Sequence, residues 1–226
     1  MKRRLLLAGA GIAAAVAIYV LAPLGLRQIG FFKVRQVQIV GLHYLTPEHV
    51  LAQIGLESDR NVFASLAELE RRVSDVPGIV AGRVRRRLPG TLRFELEEEM
   101  PVAFARGKEG LVPLDEAARP LPYDPVATSF DLPLVERPDS VLTRTLALIR
   151  VVDSTFFGLV DGVRRGGDGT VVFELGEQRV VLRAVPMPSE IRAVVTVRRH
   201  LLQEGQSFRE LDARFQGQIV VRRGEA

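Results

Sequence analysis

The sequence predicts an α+β protein: a single N-terminal transmembrane helix, a small β-α-α-β-β domain, and a mainly antiparallel β domain with two or so helices. Three observations predict it. An uncharged run from Leu5 to Leu26 has the length of a bilayer span. A stretch of about 70 residues then shows strand, helix, helix, strand and strand periodicity in that order. Beyond Pro101, short β-like runs recur, interrupted by two segments of helical spacing.

The uncharged run covers 22 positions. As a helix it is about 33 Å long at 1.5 Å per residue, against a hydrocarbon core of roughly 30 Å. Lys2, Arg3 and Arg4 precede it, which keeps residues 1–4 in the cytoplasm and puts everything after Arg27 outside. A cleaved signal peptide is the rival reading, but its apolar core is typically about 7–15 residues. The best small-residue site, Val20-Leu21-Ala22, is also followed by Pro23, which is poor for cleavage. An uncleaved single-pass anchor over residues 5–26 is therefore expected.

Most of the formal charge of +4 falls on the expected cytoplasmic tail. Three of the 31 basic residues are Lys2, Arg3 and Arg4, which leaves 28 against 27 acidic in the rest of the chain. The exported part is close to neutral, so the basic pI is no sign of nucleic-acid binding. The chain has no cysteine, which excludes disulfides, thiol catalysis and cysteine-type zinc sites.

The first exported domain is expected over residues 31–100. In "FKVRQVQIVG", Val37 and Ile39 alternate with Gln36 and Gln38, as in a half-buried strand, and Gly41 ends it. "TPEHVLAQIG" supplies Thr46 as N-cap, Pro47 at the first helical position, an apolar stripe of Val50, Leu51 and Ile54, and Gly55 as stop. A second helix runs from about Ser65, with Leu66, Leu69 and Val73 at helical spacing. "VAGRVRRRL" and "LRFELEE" then read as strands joined by a hairpin turn at "PGT". Arg85 and Arg87 share one strand face and Glu95 and Glu97 share one face of the other, so these rows are expected to pair across the hairpin.

The second domain is expected over residues 101–223, with the boundary near Met100-Pro101. Its β-like runs are "VAFA", "GLVPL", "LPLVE", "TVVFELG", "QRVVLRA" and "GQIVVRR". One helix is expected from about Val141 to Phe156, and another from about Ser189 to Gln203 with Ser189 as its cap.

No catalytic, cofactor or metal constellation emerges. His43, His49 and His200 have no carboxylate cluster around them and no ligand spacing. There is no G-x-S-x-G elbow. "RRGGDGT" lacks the glycine spacing and lysine of a P-loop and precedes a strand, so it reads as a tight hairpin between Val163 and Val171. Glu97, Glu98 and Glu99 cannot converge on one substrate, because neighbours on a strand point to opposite faces. Arg83, Arg85, Arg86 and Arg87 carry no interleaved aromatics on which bases could stack. The expectation is a protein without catalytic activity, cofactor, metal, nucleic acid or small-molecule substrate.

The chain resembles the bacterial cell-division proteins of the FtsQ/DivIB family. The residues that carry the resemblance are "FKVRQVQIVGLHYLTPEHVLAQIGL", "NVF" and "VPGIVAGRVRRRLPGTLRFELEEEMPVAF". "LVPLDEAARPL", "ELGEQRVVL" and "LDARFQGQIVVR" continue it to the C-terminus. Ala118 stands where that family usually has a glycine.

The resemblance implies a POTRA domain (polypeptide-transport-associated) after the anchor, followed by a β domain. It implies a single-pass scaffold in the cytoplasmic membrane at the division septum, linking early and late division proteins. The implied partners are single-pass proteins of the FtsB/DivIC and FtsL types. "QIVVRR" is expected to leave a strand edge open to a partner strand. The expected partner-binding residues are Arg214, Phe215, Gln218, Ile219, Val220, Val221 and Arg222. Against this, Asp212 could pair locally with Arg214, and Phe215 could lie in the core. Other classes of function are a POTRA-containing transport or assembly factor of the envelope, and an anchored envelope enzyme.

Overall fold

A computed structural model describes residues 30–57, 60–108, 110–128 and 130–224. The expected transmembrane helix over residues 5–26, with the tail before it, lies outside the described residues. Among those described, no helix is long and apolar enough to cross a membrane. The chain divides into two compact units between Glu98 and Glu99.

In the first unit a 3-10 turn at Gly30–Phe32 leads into β1 (Gln36–Val40). Helices α1 (Pro47–Ile54) and α2 (Leu66–Ser74) follow, then β2 (Ile79–Arg87) and β3 (Thr91–Glu98). The sheet order is β1-β3-β2, with β1 parallel and β2 antiparallel to β3. The helix ends are set by the expected residues. Thr46 Oγ1 accepts from the His49 N–H at 3.2 Å, and Gly55 closes α1 at φ 61°. Ser65 Oγ accepts from the Glu68 N–H at 3.4 Å at the start of α2. Val50, Ile54, Leu69 and Val73 from the helices and Val84, Leu92, Phe94 and Leu96 from the strands are all buried.

The hairpin turn is Leu88-Pro89-Gly90, with a cis peptide at Leu88–Pro89. A glycine is required at its end. The Gly90 carbonyl accepts from the Arg35 and Gln36 N–H groups at 2.8 and 3.2 Å, and a Cβ there would lie 2.7 Å from the Lys33 carbonyl oxygen.

This three-residue turn bears out the expected pairing of the charged rows only in part. It places Arg87 opposite Thr91, so Arg85 faces Arg93, Arg83 faces Glu95 and Ala81 faces Glu97. Arg85 reaches Glu95 only diagonally, at 3.1 Å, and Arg93 shares that carboxylate at 3.2 Å. Arg86 donates instead to the carbonyls of Val62 and Ala64 at 2.6 and 3.0 Å. Glu98 accepts from the N–H groups of His43, Tyr44 and Leu45 at 2.6, 3.0 and 2.7 Å, with its side chain only 2% exposed. That carboxylate fastens the "GLHYL" turn to the end of β3.

The second unit runs β4 (Ala103–Arg106), β5 (Leu111–Leu114), α3 (Pro125–Thr128), β6 (Leu134–Val135), α4 (Ser140–Val152) and α5 (Ser154–Phe157). It continues with β7 (Gly162–Arg165), β8 (Thr170–Leu175), β9 (Gln178–Arg183), α6 (Pro188–Gln203), β10 (Glu210–Asp212) and β11 (Val220–Arg222). All eight strands form one sheet in the order β11-β10-β9-β8-β7-β6-β4-β5. The expected "RRGGDGT" turn joins β7 to β8, which are antiparallel. The core gathers Leu146, Ile149, Ile191 and Val194 of the helices with Phe173, Leu182 and Leu211 of the sheet.

The sheet is mainly antiparallel, as expected, through the β4–β5, β7–β8, β8–β9 and β10–β11 pairs, while β9–β10, β6–β7 and β4–β6 are parallel. A helix intervenes in each of those parallel connections, and parallel neighbours need such a crossover. Two expectations about the helices are corrected. The helix expected from Val141 to Phe156 is broken at Asp153, whose backbone is extended (φ −155°) while its carboxylate caps α5 by accepting from the Phe156 N–H at 2.7 Å. Finally, α6 begins at Pro188, before Ser189. Its first turn is closed by Glu190, which accepts from the Met187 N–H at 2.8 Å, so Ser189 is not the cap.

Candidate partner-binding edge

The last two strands carry the residues singled out at the C-terminus. In β10, Leu211 points into the core, so Glu210 and Asp212 point to the opposite face of the sheet. Both are nevertheless buried, Asp212 to 1% exposure. Buried carboxylates require cations and hydrogen bonds, and neighbouring strands deliver them. The β9 residue opposite Glu210 is Arg179 and the β11 residue opposite it is Arg222. Arg179 Nε pairs with Glu210 Oε2, and Arg222 Nε lies 3.2 Å from Glu210 Oε1. Arg214, just beyond β10, closes a two-pronged contact on Asp212: Nε to Oδ1 at 2.8 Å and Nη2 to Oδ2 at 2.7 Å.

These contacts form a ladder of three arginines around two carboxylates. The Arg214 hydrogen bonds, against the effect of burial, hold the Asp212 carboxyl below the ordinary aspartate range. The guanidiniums remain partly open to solvent, so the ladder presents a net positive strip beside β11.

The sheet order ends at β11, and among the described residues no strand pairs with its outer side. Next to it the chain turns at Phe215–Gln218, closed by the Gln218 N–H donating to the Phe215 carbonyl at 3.2 Å. A cavity of about 520 Å³ opens between this turn and the stretch from Met187 to Val197 at and within α6. Met187, Ala193, Val197, Phe215 and Ile219 give it a largely apolar lining. Phe215 is 52% exposed, with the Arg214 guanidinium carbon 5.5 Å from its ring centroid.

The seven residues expected at this site are therefore neighbours with different roles. Arg214 does pair with Asp212, as the local reading allowed. Phe215 lies outside the core, contrary to the alternative that buried it. Phe215, Gln218 and Ile219 line the cavity, while Val220 is exposed on the edge strand. Val221 packs partly against the core, and Arg222 belongs to the ladder. Glu210, Arg179 and the α6 wall went unread, although the alternation in "ELD" is the signal that a charged pair flanks a core leucine.

Elsewhere, the described residues contain no group of three or more His, Asp or Glu side chains that could hold a metal ion. His43 Nδ1 lies 3.7 Å from Glu98 and is exposed.

Comparison with known proteins bears on the first unit. Residues 32–99 match the family model of the POTRA domain, FtsQ-type. The chain carries an FtsQ-type POTRA domain. No curated protein matches the chain. The POTRA domain corresponds to the β1-α1-α2-β2-β3 unit, and its type points to a division-related scaffold role.

Proposed function

We propose that this chain is a single-pass membrane scaffold of the bacterial division machinery, of the FtsQ/DivIB type. It links early and late division proteins by binding FtsB/DivIC- and FtsL-type partners through its extracytoplasmic domains. Residues 5–26 anchor it in the cytoplasmic membrane, residues 1–4 stay in the cytoplasm, and the β domain over residues 101–223 works outside at the septum. Its role is to hold partners rather than to catalyse a reaction.

The observation that carries the partner site is the open outer side of β11 beside an apolar cavity. A partner strand added there gains main-chain hydrogen bonds that the edge otherwise makes only to water. Phe215 provides an apolar anchor at the end of the strand, and the net positive ladder favours an acidic partner segment.

The test is capture of the FtsB/DivIC-type protein by the full chain in detergent. Phe215→Ala removes an exposed ring that contributes nothing to the core, and is expected to weaken capture by about 1–2 kcal/mol, on the order of tenfold. Val220→Pro, on the edge strand itself, is expected to weaken it further. Capture at unchanged affinity by both variants contradicts the edge reading.

A further inference from the structure

The basic run of β2 is only partly absorbed by the fold. Arg86 is committed to the Val62 and Ala64 carbonyls, and Arg85 shares Glu95 with Arg93. Arg87 remains exposed at the end of the strand, beside Leu88, which is 61% exposed. The chain entering β1 meets this same tip, through the Arg35 and Gln36 hydrogen bonds to the Gly90 carbonyl. Phe31 is 60% exposed there, with Arg35 5.3 Å from its ring centroid and donating to its carbonyl at 2.9 Å. Two exposed apolar side chains thus share one end of the domain with three exposed cations, Lys33, Arg35 and Arg87. Among the described residues no carboxylate pairs with these three.

Chain length fixes where this end lies. The uncharged run ends at Leu26, and only Arg27 to Gly30 separate it from Phe31. Even fully extended, that connection spans no more than about 18 Å. With residues 5–26 in the bilayer, the tip is held at the headgroups, where anionic lipid attracts Lys and Arg over about a Debye length. The opposite end of the sheet has a different character: the exposed charge at the end of β3 is Glu97.

We infer that the tip formed by Phe31, Lys33, Arg35, Arg87 and Leu88 rests on the bilayer, its apolar pair in the interface and its cations on the phosphates of anionic lipids. This rests on reading residues 5–26 as the anchor. Long basic side chains beside exposed apolar ones suit that boundary, since their stems lie in the apolar layer and their heads reach the phosphates.

The absence of cysteine allows a clean test. Gln36→Cys places a fluorophore beside the tip and leaves all five tip residues intact. Val80→Cys places it at the opposite end of β2, on a residue 54% exposed. The full chain is reconstituted in phosphatidylcholine vesicles with or without phosphatidylglycerol, both carrying a headgroup nitroxide quencher, and flotation scores membrane association separately.

Quenching at position 36 is expected to exceed that at position 80 by at least about twofold in phosphatidylglycerol vesicles. Each basic residue near an anionic surface changes occupancy roughly fivefold. The contrast should therefore collapse in Arg35→Gln/Arg87→Gln and in phosphatidylcholine alone. Equal quenching at the two positions in floated vesicles overturns the inference while leaving the anchor in place. So does a contrast indifferent to both lipid charge and the arginines, or shielding of position 36 that appears only when another membrane protein is co-reconstituted. A chain that fails to float overturns the anchor reading and this inference together.

Discussion

Asp212 is nearly enclosed, and the Arg214 guanidinium is its two-pronged hydrogen-bond partner. Charge reversal at Arg214 would therefore do more than remove a partner contact: it would put a second carboxylate beside a buried one. Arg214→Glu is expected to destabilise the second unit, because the enclosed Asp212 carboxylate loses its two-pronged partner and faces a like charge, and thermal unfolding checks this. Acidification acts on the same contact. Asp212 and Asp139 both have carboxyls held below the ordinary range, chiefly by the hydrogen bonds from Arg214 and Arg165. A depressed folded value contributes stability that is present above the ordinary aspartate pKa and is lost as pH falls through the lowered value. The melting midpoint should then drop steeply below about pH 4, and Asp212→Asn should flatten the slope; a midpoint independent of pH there contradicts it. Ala118 offers a gain instead. It occupies the left-handed region at φ 63° in the turn after β5, where the Asp115 carboxylate accepts from the Arg119 N–H at 2.7 Å. Ala118→Gly should raise stability by up to about 1 kcal/mol, because the Cβ penalty in that region is removed.

At the scale of elements, legibility followed local chemistry. Thr46, Pro47, Gly55 and Ser65 could be read as helix ends because each acts on backbone groups within a few residues of itself. The hairpin was legible from "PGT", but its register was not, because a single residue of turn length shifts every cross-strand pair. That is why Arg85 lies opposite Arg93 rather than opposite a glutamate. β6 was legible within "LPLVE", whereas β10 has three residues, too few for an alternation to be counted, and only its neighbours make it a strand. In the sequence nothing distinguishes Glu98 from Glu97 and Glu99, yet it fastens a turn more than 50 residues earlier in the chain, a contact to which local pattern is blind. Glu98→Ala leaves the three N–H groups of residues 43–45 without that carboxylate, and should cost the POTRA domain about 1–3 kcal/mol. Denaturant unfolding monitored in residues 30–98 reads this directly, and an unchanged midpoint would show that the turn holds without it.

Across the whole molecule, the sequence divides its work between an apolar run, a POTRA domain and a β domain whose last strand has no outer neighbour among the described residues. The residues proposed for the partner site are legible as a cluster because "LDARFQGQIVVR" is contiguous. The cavity wall from α6 is not, since Met187 and Val197 reach the same place from an earlier helix. The central claim is that the outer side of β11 receives a partner strand, and amide hydrogen exchange on the full chain tests it most directly. Adding the FtsB/DivIC-type partner should slow exchange in residues 218–222, through new main-chain hydrogen bonds, and leave β2 of the POTRA domain unchanged. Exchange in residues 218–222 that stays the same while partner binding is demonstrated would contradict the account.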